Sequence, residues 1–547
     1  MKIKYLWIFL SGYQNIIYRI YLSNINWKEY EWMDNLKKEL LEEIEGFRKI
    51  GHKFLENELS IMEFKKISGG MGVYAQRNKN GFMIRLRIPS GITSKKQMYW
   101  VLDRAKKYGL DKIHLTTREA IQFHNLTIDE VCDLMKEALE ENIYTRGAGG
   151  NYPRNVAISP LAGVDRFEAF DVTPYALMVN NHFLKKITSY KLPRKLKVSF
   201  SSSNMDCGHC NITDLGFLAT IKDNKQYFKV YLGGGLGANP KLSIEYPELI
   251  NPNTVLYHVE AITKLFIEQG DYENKHKARI RYIVERMGKE EFLKCYQEKL
   301  AEVMKDEDLT LDLHPIEIDK EGKKTEINNQ RLYAQKQNGL YSVYFHPFGG
   351  QLHLKDLEDI LDCIEDMKQV ELRLTMTEGI YIRNLNGDEA EKVLDITEGR
   401  GGETHLEQSV SCIGVPTCQI GICESQKTLF DILKYFREKG YKKDVLPRVH
   451  ISGCMNSCGI HEASMIGFAG SRKRIDGELK DVFELHINGS FEEGNARLGK
   501  IYGYILSEKV PEFLYELALK VEGKDINFEN FVDKYENELE ELVKAYS

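Results

Sequence analysis

Four cysteines in the C-terminal part of the chain form two pairs whose spacing could hold an inorganic centre. Cys412 and Cys418 have five residues between them, and Cys454 and Cys458 have three. A fold that brings both pairs together would place four thiolates around one site, and thiolates are ligands that select zinc or iron–sulfur clusters. The spacing therefore predicts a metal site, and a redox enzyme if the metal is iron.

Zinc, disulfides and an iron–sulfur cluster are the alternatives for these cysteines. Paired cysteines in structural zinc sites usually have about two to four residues between them, so the five-residue gap fits zinc poorly. Disulfides need an oxidising compartment, and ten unevenly placed cysteines in 547 residues do not resemble a small disulfide-stabilised domain. An iron–sulfur cluster tolerates varied spacing, because its loops only have to reach the corners of a cube. The residues alone favour a cluster and leave zinc open.

The composition is that of an ordinary globular protein. With 42% hydrophobic residues it can form several cores, and its formal net charge of -6 argues against a general nucleic-acid binder. Near the N-terminus, Gln14, Asn15 and Arg19 interrupt an apolar stretch before it reaches the roughly 20 residues of a membrane span. We expect no span, and a cytoplasmic monomer in which residues 1–32 are an extension before an amphipathic helix that follows Met33.

An internal repeat runs through the chain. Tyr74-Ala75-Gln76 returns as Tyr333-Ala334-Gln335, and LTTREAIQFHNL returns as LTMTEGIYIRNL. Each copy has the pattern of a strand, a turn, a helix and a second strand. Further along, LPRKLKVSF returns as LPRVHISGC. The repeat predicts an α+β fold built twice around a pseudo-two-fold axis.

The two copies differ in their cations. Three arginines of the first copy face uncharged residues of the second. When the flanking glycines and prolines are matched, Arg85 faces Val343 and Arg87 faces Phe345, and when LTTREAIQFHNL is matched with LTMTEGIYIRNL, Arg118 faces Thr377. When the LPR segments are matched, two lysines lie opposite apolar residues: Lys195 opposite Val449, and Lys197 opposite Ile451. A single Lys or Arg is usually a solvated surface charge. Cations confined to one copy instead predict an anion site.

Taken together, these motifs resemble the sirohaem- and [4Fe–4S]-dependent sulfite and nitrite reductases. The resemblance rests on FMIRLRIPSG, LTTREAIQFH, NYPRNVAISP, LPRKLK, YLGGGLG, HKARIRYIVERMG and both cysteine pairs, and it covers nearly all of the chain from about Gly70 onwards. It implies two ferredoxin-like half-domains packed together and two larger mixed α/β domains. The expected units are an N-terminal extension and helix (1–65), half-domain 1 (66–130), a sirohaem-binding domain (131–325), half-domain 2 (326–395) and an iron–sulfur and sirohaem domain (396–547).

The same resemblance implies roles for individual residues. Cys412, Cys418, Cys454 and Cys458 would ligate the [4Fe–4S] cluster, and the Cys458 thiolate would also bind the sirohaem iron. Because the carboxylates of sirohaem need cations and hydrogen-bond donors, the implied cofactor contacts are Arg118, Gln122, Arg194, Arg279 and Asn456. The implied catalytic residues, which would bind an oxyanion and assist its protonation, are Arg85, Arg154, Lys195 and Lys197.

Six-electron reduction of sulfite to sulfide is the activity that the resemblance favours, and reduction of nitrite to ammonia is the alternative. Sulfite-reducing relatives resemble the Lys195-Leu196-Lys197 pattern, whereas plant-type nitrite reductases tend to have Asn at the second of these cationic positions. A sulfite dianion also gains more from an extra cation than a nitrite monoanion does. Ferredoxin or a similar small carrier would supply the electrons, since the sequence has no flavodoxin-like segment and no dinucleotide-binding fingerprint. A non-catalytic, metal-stabilised binding protein is a minor alternative.

Overall fold

The structure, a computed structural model, describes residues 28–78, 81–313 and 317–547. Most of the expected N-terminal extension therefore lies outside the described residues. The amphipathic pattern after Met33 is part of helix α1 (Lys28–Leu55). Its buried side chains recur at helical spacing and pack against the first ferredoxin-like half-domain: Leu36, Leu40, Ile44 and Phe47.

The remaining elements follow the duplication. The first copy contains α2 (Ile61–Ser68), β1 (Val73–Ala75), β2 (Phe82–Arg87), β3 (Ile92–Thr93), α3 (Lys95–Lys107), β4 (Lys112–Leu115), β5 (Ala120–Leu126), α4 (Ile128–Glu140), β6 (Ala157–Ile158), α5 (Thr173–Lys185), β7 (Val198–Ser201), β8 (Leu215–Lys222), β9 (Lys225–Leu232), β10 (Ile244–Glu245), α6 (Val255–Gln269), α7 (Ile280–Met287) and α8 (Lys289–Asp306). The second contains β11 (Leu332–Ala334), β12 (Leu340–Phe345), β13 (Gln351–His353), α9 (Leu354–Ile364), β14 (Glu371–Leu374), β15 (Ile380–Asn386), α10 (Gly387–Thr397), β16 (Val410–Ser411), α11 (Ser425–Glu438), β17 (Val449–Ser452), β18 (Ile466–Ile475), β19 (Glu478–Ile487), β20 (Lys500–Leu506), α12 (Val510–Gly523), α13 (Phe528–Lys534) and α14 (Glu536–Tyr546).

The two ferredoxin-like half-domains exchange a strand. One antiparallel sheet has the order β1-β2-β5-β4-β13, and the other has the order β11-β12-β15-β14-β3. Each sheet therefore takes its last strand from the opposite copy, which joins the half-domains into one unit. Capping boxes start the helices that cover these sheets, with Ser94 and Gln97 at α3 and Thr127 and Glu130 at α4.

Each copy also has a mixed five-stranded sheet, with the order β10-β9-β8-β7-β6 in the first and β16-β17-β18-β19-β20 in the second. In both, three strands run parallel and the next two pair antiparallel. The first sheet shares a hydrophobic core with the half-domains, whereas the second has a core of its own with α11 to α14. The predicted α+β fold with duplicated half-domains is confirmed.

Strand pairing corrects the alignment of the first repeat by one residue. Arg85 pairs with Gln122 across β2 and β5, and Tyr344 pairs with Tyr381 across β12 and β15. Arg85 is therefore equivalent to Tyr344, not to Val343, and Arg87 is equivalent to His346 rather than to Phe345. Flanking glycines and prolines misled the alignment because they mark loops, whose lengths need not match, whereas the hydrogen-bonded ladder defines register.

The LPR segments are three residues out of register. Val198 pairs with Leu215 as Val449 pairs with Ile466, so β7 is equivalent to β17 from its first residue. Counting back, Lys197 corresponds to Arg448 and Lys195 to Leu446, not to Ile451 and Val449. The predicted strand also begins later than expected, because the lysines precede β7 in an extended segment. At the positions equivalent to Lys195 and Lys197, the second copy therefore retains one cation, Arg448.

Two predicted domain boundaries fall inside helices. The boundary after residue 130 lies within α4, and the boundary after residue 395 lies within α10. Each helix packs on the half-domain sheet that precedes it. We propose that the half-domains extend to the ends of these helices. Among the helices of the described residues, none combines the length and the apolar composition that crossing a membrane requires.

A buried glutamate at a left-handed turn fastens each half-domain to the neighbouring mixed sheet. Glu119 has φ 52° and accepts a hydrogen bond from the Ile158 N–H at 3.2 Å, and Glu378 has φ 64° and accepts one from the Ser411 N–H at 3.0 Å. Burial raises the pKa of Glu119 to about 8 and that of Glu378 well above its ordinary value. These carboxyls satisfy backbone donors that would otherwise be buried without a partner.

We expect Glu119→Gln to stabilise the protein increasingly as the pH rises. The folded protein binds the Glu119 proton more tightly than the unfolded chain, since burial raises the pKa from 4.5 to about 8. The stability that the protonated Glu119 carboxyl contributes is thus complete at low pH and is lost as the pH rises through about 8. The unfolding temperature of the variant minus that of the wild type should grow between about pH 5 and pH 8 and then level off. Glu56→Gln, at an exposed site, is the control; a constant difference for Glu119→Gln would contradict the prediction.

Candidate functional site

The four cysteines of the sequence pattern lie on two adjacent loops. Strands β16 and β17 are parallel neighbours, and Cys412 directly follows β16 while Cys454 follows β17 after one glycine. Carboxyl ends of adjacent parallel strands meet at one edge of a sheet. The Cys412 N–H donates to the Ile451 carbonyl at 3.1 Å, and the Gly453 N–H donates to the Cys412 Sγ at 3.1 Å. The fold thus brings both cysteine pairs together.

The first half-domain holds both cysteine loops. The Arg77 Nη2 donates to the Gly421 carbonyl at 2.7 Å, and its backbone N–H donates to the Thr417 carbonyl at 3.1 Å. The Thr117 hydroxyl donates to the Cys458 carbonyl at 2.8 Å. Each contact joins residues that are far apart in sequence. The position of the cysteines therefore depends on docking between the half-domain and the second mixed sheet.

Electrostatics couple the four thiols. Burial raises the pKa of Cys412 to about 12, and the charge of Cys458 acts in the same direction. Burial also raises the pKa of Cys458, Lys195 opposes this effect, and Cys454 and Cys418 add to it. Four thiolates this close repel one another, so they need a cationic centre as a partner.

The two cysteine loops are compatible with a cluster. Each cysteine of a cubane cluster binds a different iron, so the ligand sulfurs of a cluster are farther apart than those around a tetrahedral ion. Within residues 28–78, 81–313 and 317–547, no group of three or more His, Cys, Asp or Glu side chains has the geometry to hold one ion.

A group of cations lies on the other side of Cys458. Burial, together with the charges of Arg118 and Arg279, lowers the pKa of Lys197 to about 7. The pKa of Lys195 falls well below its ordinary value through burial, followed by the charges of Lys197 and Arg279. Protein surrounds both lysines, yet each keeps some exposed surface. We infer that they line an internal opening. An anion bound there would relieve their repulsion.

Asp214 organises the floor of this opening. Its carboxylate accepts two hydrogen bonds from the Arg279 guanidinium, at 3.0 and 2.7 Å, and a third from the Lys197 N–H at 2.8 Å. Arg279 is therefore paired within the protein, which limits the donors it can offer to a cofactor. Arg194, which the sequence also implicated, is half-buried, and its Nη1 lies 3.5 Å from the Asn151 Oδ1.

Arg85 and Arg154 converge on one carbonyl. The Arg85 Nη1 donates to the Ala148 carbonyl at 2.9 Å, and the Arg154 Nη1 donates to the same oxygen at 2.5 Å. With its amide oriented to accept, Gln122 receives the Arg85 Nε–H at 2.9 Å. Gln122 therefore orients Arg85, a role different from the cofactor contact implied by the sequence. The Arg154 Nε is buried and lacks a protein acceptor.

The other implicated residues are close to the same loops. The Asn456 Nδ2 donates to the Cys454 Sγ at 3.2 Å, a contact of the kind that tunes cluster potentials. The Arg118 Nε donates to the Asn155 carbonyl at 2.9 Å, and this arginine is half-buried between the half-domain and β7. The structure thus brings the cysteines and the implicated cations to one region, with Cys458 between them.

Two residues of this region were not predicted from the sequence. Arg281 is 6% exposed, and its Nε and Nη1 have no hydrogen-bond acceptor in the protein. Burial would raise the pKa of the Tyr74 hydroxyl, but the charges of Arg154 and Arg85, two of the catalytic candidates, together lower it. Arg281 lies in HKARIRYIVERMG, and its alternation with Arg279 was the available signal. The sequence could not tell which of them Asp214 would bind.

The unpartnered donors test whether sirohaem fits. Buried guanidinium nitrogens almost always have a hydrogen-bond acceptor, so those of Arg154 and Arg281 point to an absent partner. The surplus of cations around Lys195 requires anions, and sirohaem supplies several carboxylates. Gly235, at φ 158°, leaves space that a side chain would fill, since an added Cβ would come within 2.6 Å of the Arg281 Nη1. The residues present fit sirohaem.

Comparison with protein families gives two matches. Residues 149–304 match the family described as the nitrite and sulphite reductase 4Fe-4S domain. Residues 74–141 and 333–399 match the nitrite/sulfite reductase ferredoxin-like half domain. The matched segments cover more than half of the chain, and the half-domain family matches both copies of the repeat.

Individual relatives extend these matches. A chloroplastic ferredoxin–nitrite reductase of Zea mays is 26% identical over 426 residues, which cover 75% of this chain and 73% of the relative. The sulfite reductase [NADPH] hemoprotein beta-component of Staphylococcus epidermidis is 24% identical over 500 residues, which cover 83% of each chain. The solved structure of the Mycobacterium tuberculosis NirA protein shares the fold, with a TM-score of 0.75 and 21% identity, over 88% of this chain and 92% of that one.

Family matches, relatives of both activities and a shared fold agree with one another and with the arrangement of thiols and cations. The chain therefore belongs to the nitrite and sulfite reductase family of oxidoreductases, whose cofactors are sirohaem and a [4Fe–4S] cluster.

Proposed function

We propose that this protein reduces sulfite to sulfide, with six electrons supplied by a ferredoxin-like carrier. The observation that carries the proposal is the pair of cations, Lys195 and Lys197, whose charges act on the Cys458 thiol. In the balanced reaction, sulfite takes up six electrons and seven protons and yields hydrosulfide and three water molecules. A site for this reaction needs electrons on one side and positive charge with protons on the other.

In this proposal Cys412, Cys418, Cys454 and Cys458 would hold the cluster, and Cys458 would also hold the sirohaem iron. Bound sirohaem supplies an iron that accepts the oxyanion and passes electrons to it. Arg118, Arg194, Arg279 and Arg281 would bind its carboxylates, with Arg281 contributing the buried donors that lack a protein acceptor. Asn456 would orient the Cys454 thiolate by its 3.2 Å hydrogen bond.

Four side chains would act on the substrate. Arg85 is fixed by Gln122 and by the Ala148 carbonyl, and Arg154 shares that carbonyl, so both guanidinium groups are preorganised. Preorganised cations stabilise negative charge that develops as the bond to a leaving oxygen breaks. Lys195 and Lys197 would bind the dianion and donate protons to the leaving oxygens.

Charge favours sulfite over nitrite at this site. Each added cation attracts a dianion about twice as strongly as a monoanion at the same distance. Lys197 is the residue at which the two substrates should differ most. Reduction of nitrite to ammonia is the alternative, and it is supported by relatives that are named as ferredoxin–nitrite reductases. Ferredoxin, which those names contain, is the donor that we propose.

We also propose that the protein acts as a cytoplasmic monomer. All ten cysteines are free in the structure, as expected for a reducing compartment. An acidic donor would then dock transiently, and its affinity should decrease with ionic strength.

Replacement of Arg281 by methionine should reduce sirohaem binding. Arg281→Met keeps much of the side-chain volume but removes the donors, so we expect sirohaem per protein to fall severalfold while acid-labile sulfide stays unchanged. The visible spectrum of protein purified without oxygen reports sirohaem, and its bands should shift when sulfite is added to the wild type. Arg286→Met is the matched control, because Arg286 lies on the same helix but donates to the Gln269 carbonyl at the surface. Wild-type sirohaem content in Arg281→Met would refute the assignment.

Replacement of Lys197 by asparagine should change the preference between substrates. Removing one charge about 4 Å from the anion costs up to about 4 kcal/mol for each unit of anion charge at an effective dielectric constant of about 20, so the loss should be larger for the sulfite dianion. We expect kcat/KM for sulfite to fall about tenfold more than kcat/KM for nitrite, measured with the same reduced donor. Lys191→Asn, at an exposed lysine on the same segment, should leave both unchanged. Equal losses for both substrates would contradict the role of Lys197 in discrimination.

A further inference from the structure

A pair of titratable residues follows the last cysteine and is not used by the mechanism above. His461 and Glu462 lie in the turn after Cys458 and are 0% and 1% exposed. Neither ring nitrogen of His461 has a protein partner, and the Glu462 Oε2 has none either. The His461 Nε2 and the Glu462 Oε1 are 3.7 Å apart. Buried polar atoms of this kind usually contact ordered water.

From this pair, a line of polar side chains leads outward along β19 and β20. The rings of His461 and His486 are 4.9 Å apart at an angle of 62°. The His486 Nε2 lies 3.0 Å from the Glu484 Oε1, and the Tyr504 hydroxyl donates to the Glu484 Oε2 at 2.7 Å. His486 and Glu484 are buried, whereas Tyr504 is partly exposed. The line therefore connects the surface with the interior through groups that can each accept or donate a proton.

The inner end of the line faces both cofactor regions. The Glu462 Oε1 accepts a hydrogen bond from the Gly237 N–H at 2.9 Å. An added Cβ at Gly237 would lie 3.7 Å from the Met455 carbonyl and 4.0 Å from that of Asn456, in the loop that carries Cys454 and Cys458. Arg281 lies close enough for its charge to act on Glu462. Glu462 is thus between the cysteine loop and the proposed sirohaem contacts.

Charged neighbours and burial set the proton affinity of these groups. Burial raises the pKa of Glu462 to about 7, while Ser457, the Gly237 N–H and Arg281 oppose that effect. Burial, with the neighbouring rings of His486 and His450, lowers the pKa of His461 well below its ordinary value. Burial also lowers the pKa of His486, against the opposing charge of Glu484. A carboxyl that titrates near neutral pH can therefore exchange protons through neutral imidazoles.

We propose that Tyr504, Glu484, His486, His461 and Glu462, with internal water, form a proton path that loads Glu462 when the neighbouring cluster accepts an electron. Each electron from the donor adds one negative charge to the cluster, and one proton from solvent compensates it at Glu462. The proton then leaves as the electron moves on toward the oxyanion, so charge balances at each step. The inference rests on the proposed cluster ligands and does not depend on whether sulfite or nitrite is the substrate.

Redox titration of the holoenzyme tests the inner end of this path. A reduced cluster stabilises the protonated form of Glu462, so the midpoint potential of the wild-type cluster, followed by electron paramagnetic resonance, should fall as the pH rises through about 7. In Glu462→Gln this fall should disappear. A wild-type slope that persists in Glu462→Gln would overturn the proposal. Sirohaem, iron and sulfide contents show whether each variant is loaded, so a failed cofactor assignment is distinguished from a failed path.

Kinetic measurements test the outer end of the proton path, which Glu484 and Tyr504 form. Glu484→Gln and Tyr504→Phe leave Glu462 in place, so the pH dependence of the potential should remain while kcat falls about tenfold with unchanged KM and a larger solvent deuterium effect. Tyr502→Phe is the matched control, since Tyr502 lies on the same strand but its hydroxyl donates to Glu536 at 3.0 Å. Unchanged kcat and isotope effect in both outer variants would show that protons reach Glu462 by another route.

Discussion

Repulsion between cations at the centre of the molecule is the interaction on which the rest depends. Lys197 lowers the proton affinity of Lys195, and Arg279 lowers that of both lysines. Asp214 offsets part of this charge through its bidentate contact with Arg279, and it also accepts the backbone N–H of Lys197 and raises the pKa of that lysine. The folded chain therefore has a strong electrostatic preference for an anionic ligand. Sirohaem and an oxyanion would both satisfy that preference, so in the proposed function cofactor binding and substrate binding would draw on the same charges.

The duplication explains how cations and thiolates can both lie close to the sulfur of Cys458. The exchange of β3 and β13 joins the half-domains, and the turn glutamates fasten each of them to a mixed sheet. This frame holds one copy that is rich in cations against another that carries thiols. Cys458 lies where they meet, held by the Thr117 hydroxyl from the first copy. The cations of one copy and the cysteine loops of the other thus meet at Cys458 without a change in the fold.

Sequence alone could predict the duplication, the fold class and the convergence of the cysteines. The duplication and the fold class follow from the repeated motifs and their periodicity, and the convergence of the cysteines was implied by their spacing and by the family resemblance. The LPR match could not give the register, because these segments are identical in sequence while the ladder of β7 and β8 sets the alignment three residues away. Nor could the sequence separate Arg279 from Arg281, since only the folded chain shows that Asp214 pairs with the first and leaves the second without an acceptor. The side chains that remain unpartnered are therefore the most informative about ligands.

The region related to the proposed site by the pseudo-two-fold axis shows why the duplication need not give two cofactor sites. Cys207 is equivalent to Cys458, but Ser203 stands where the first thiolate of that loop, Cys454, would be. Around Cys207, the rings of Tyr344 and Tyr381 lie 4.7 Å apart, and they take the positions of Arg85 and Gln122. A guanidinium group, that of Arg448, lies 5.4 Å from the Tyr344 ring in place of Lys197. Aromatic packing around Cys207 has thus replaced the repulsion between cations that is found beside Cys458. Without that repulsion, the region around Cys207 has no comparable need for an anionic cofactor.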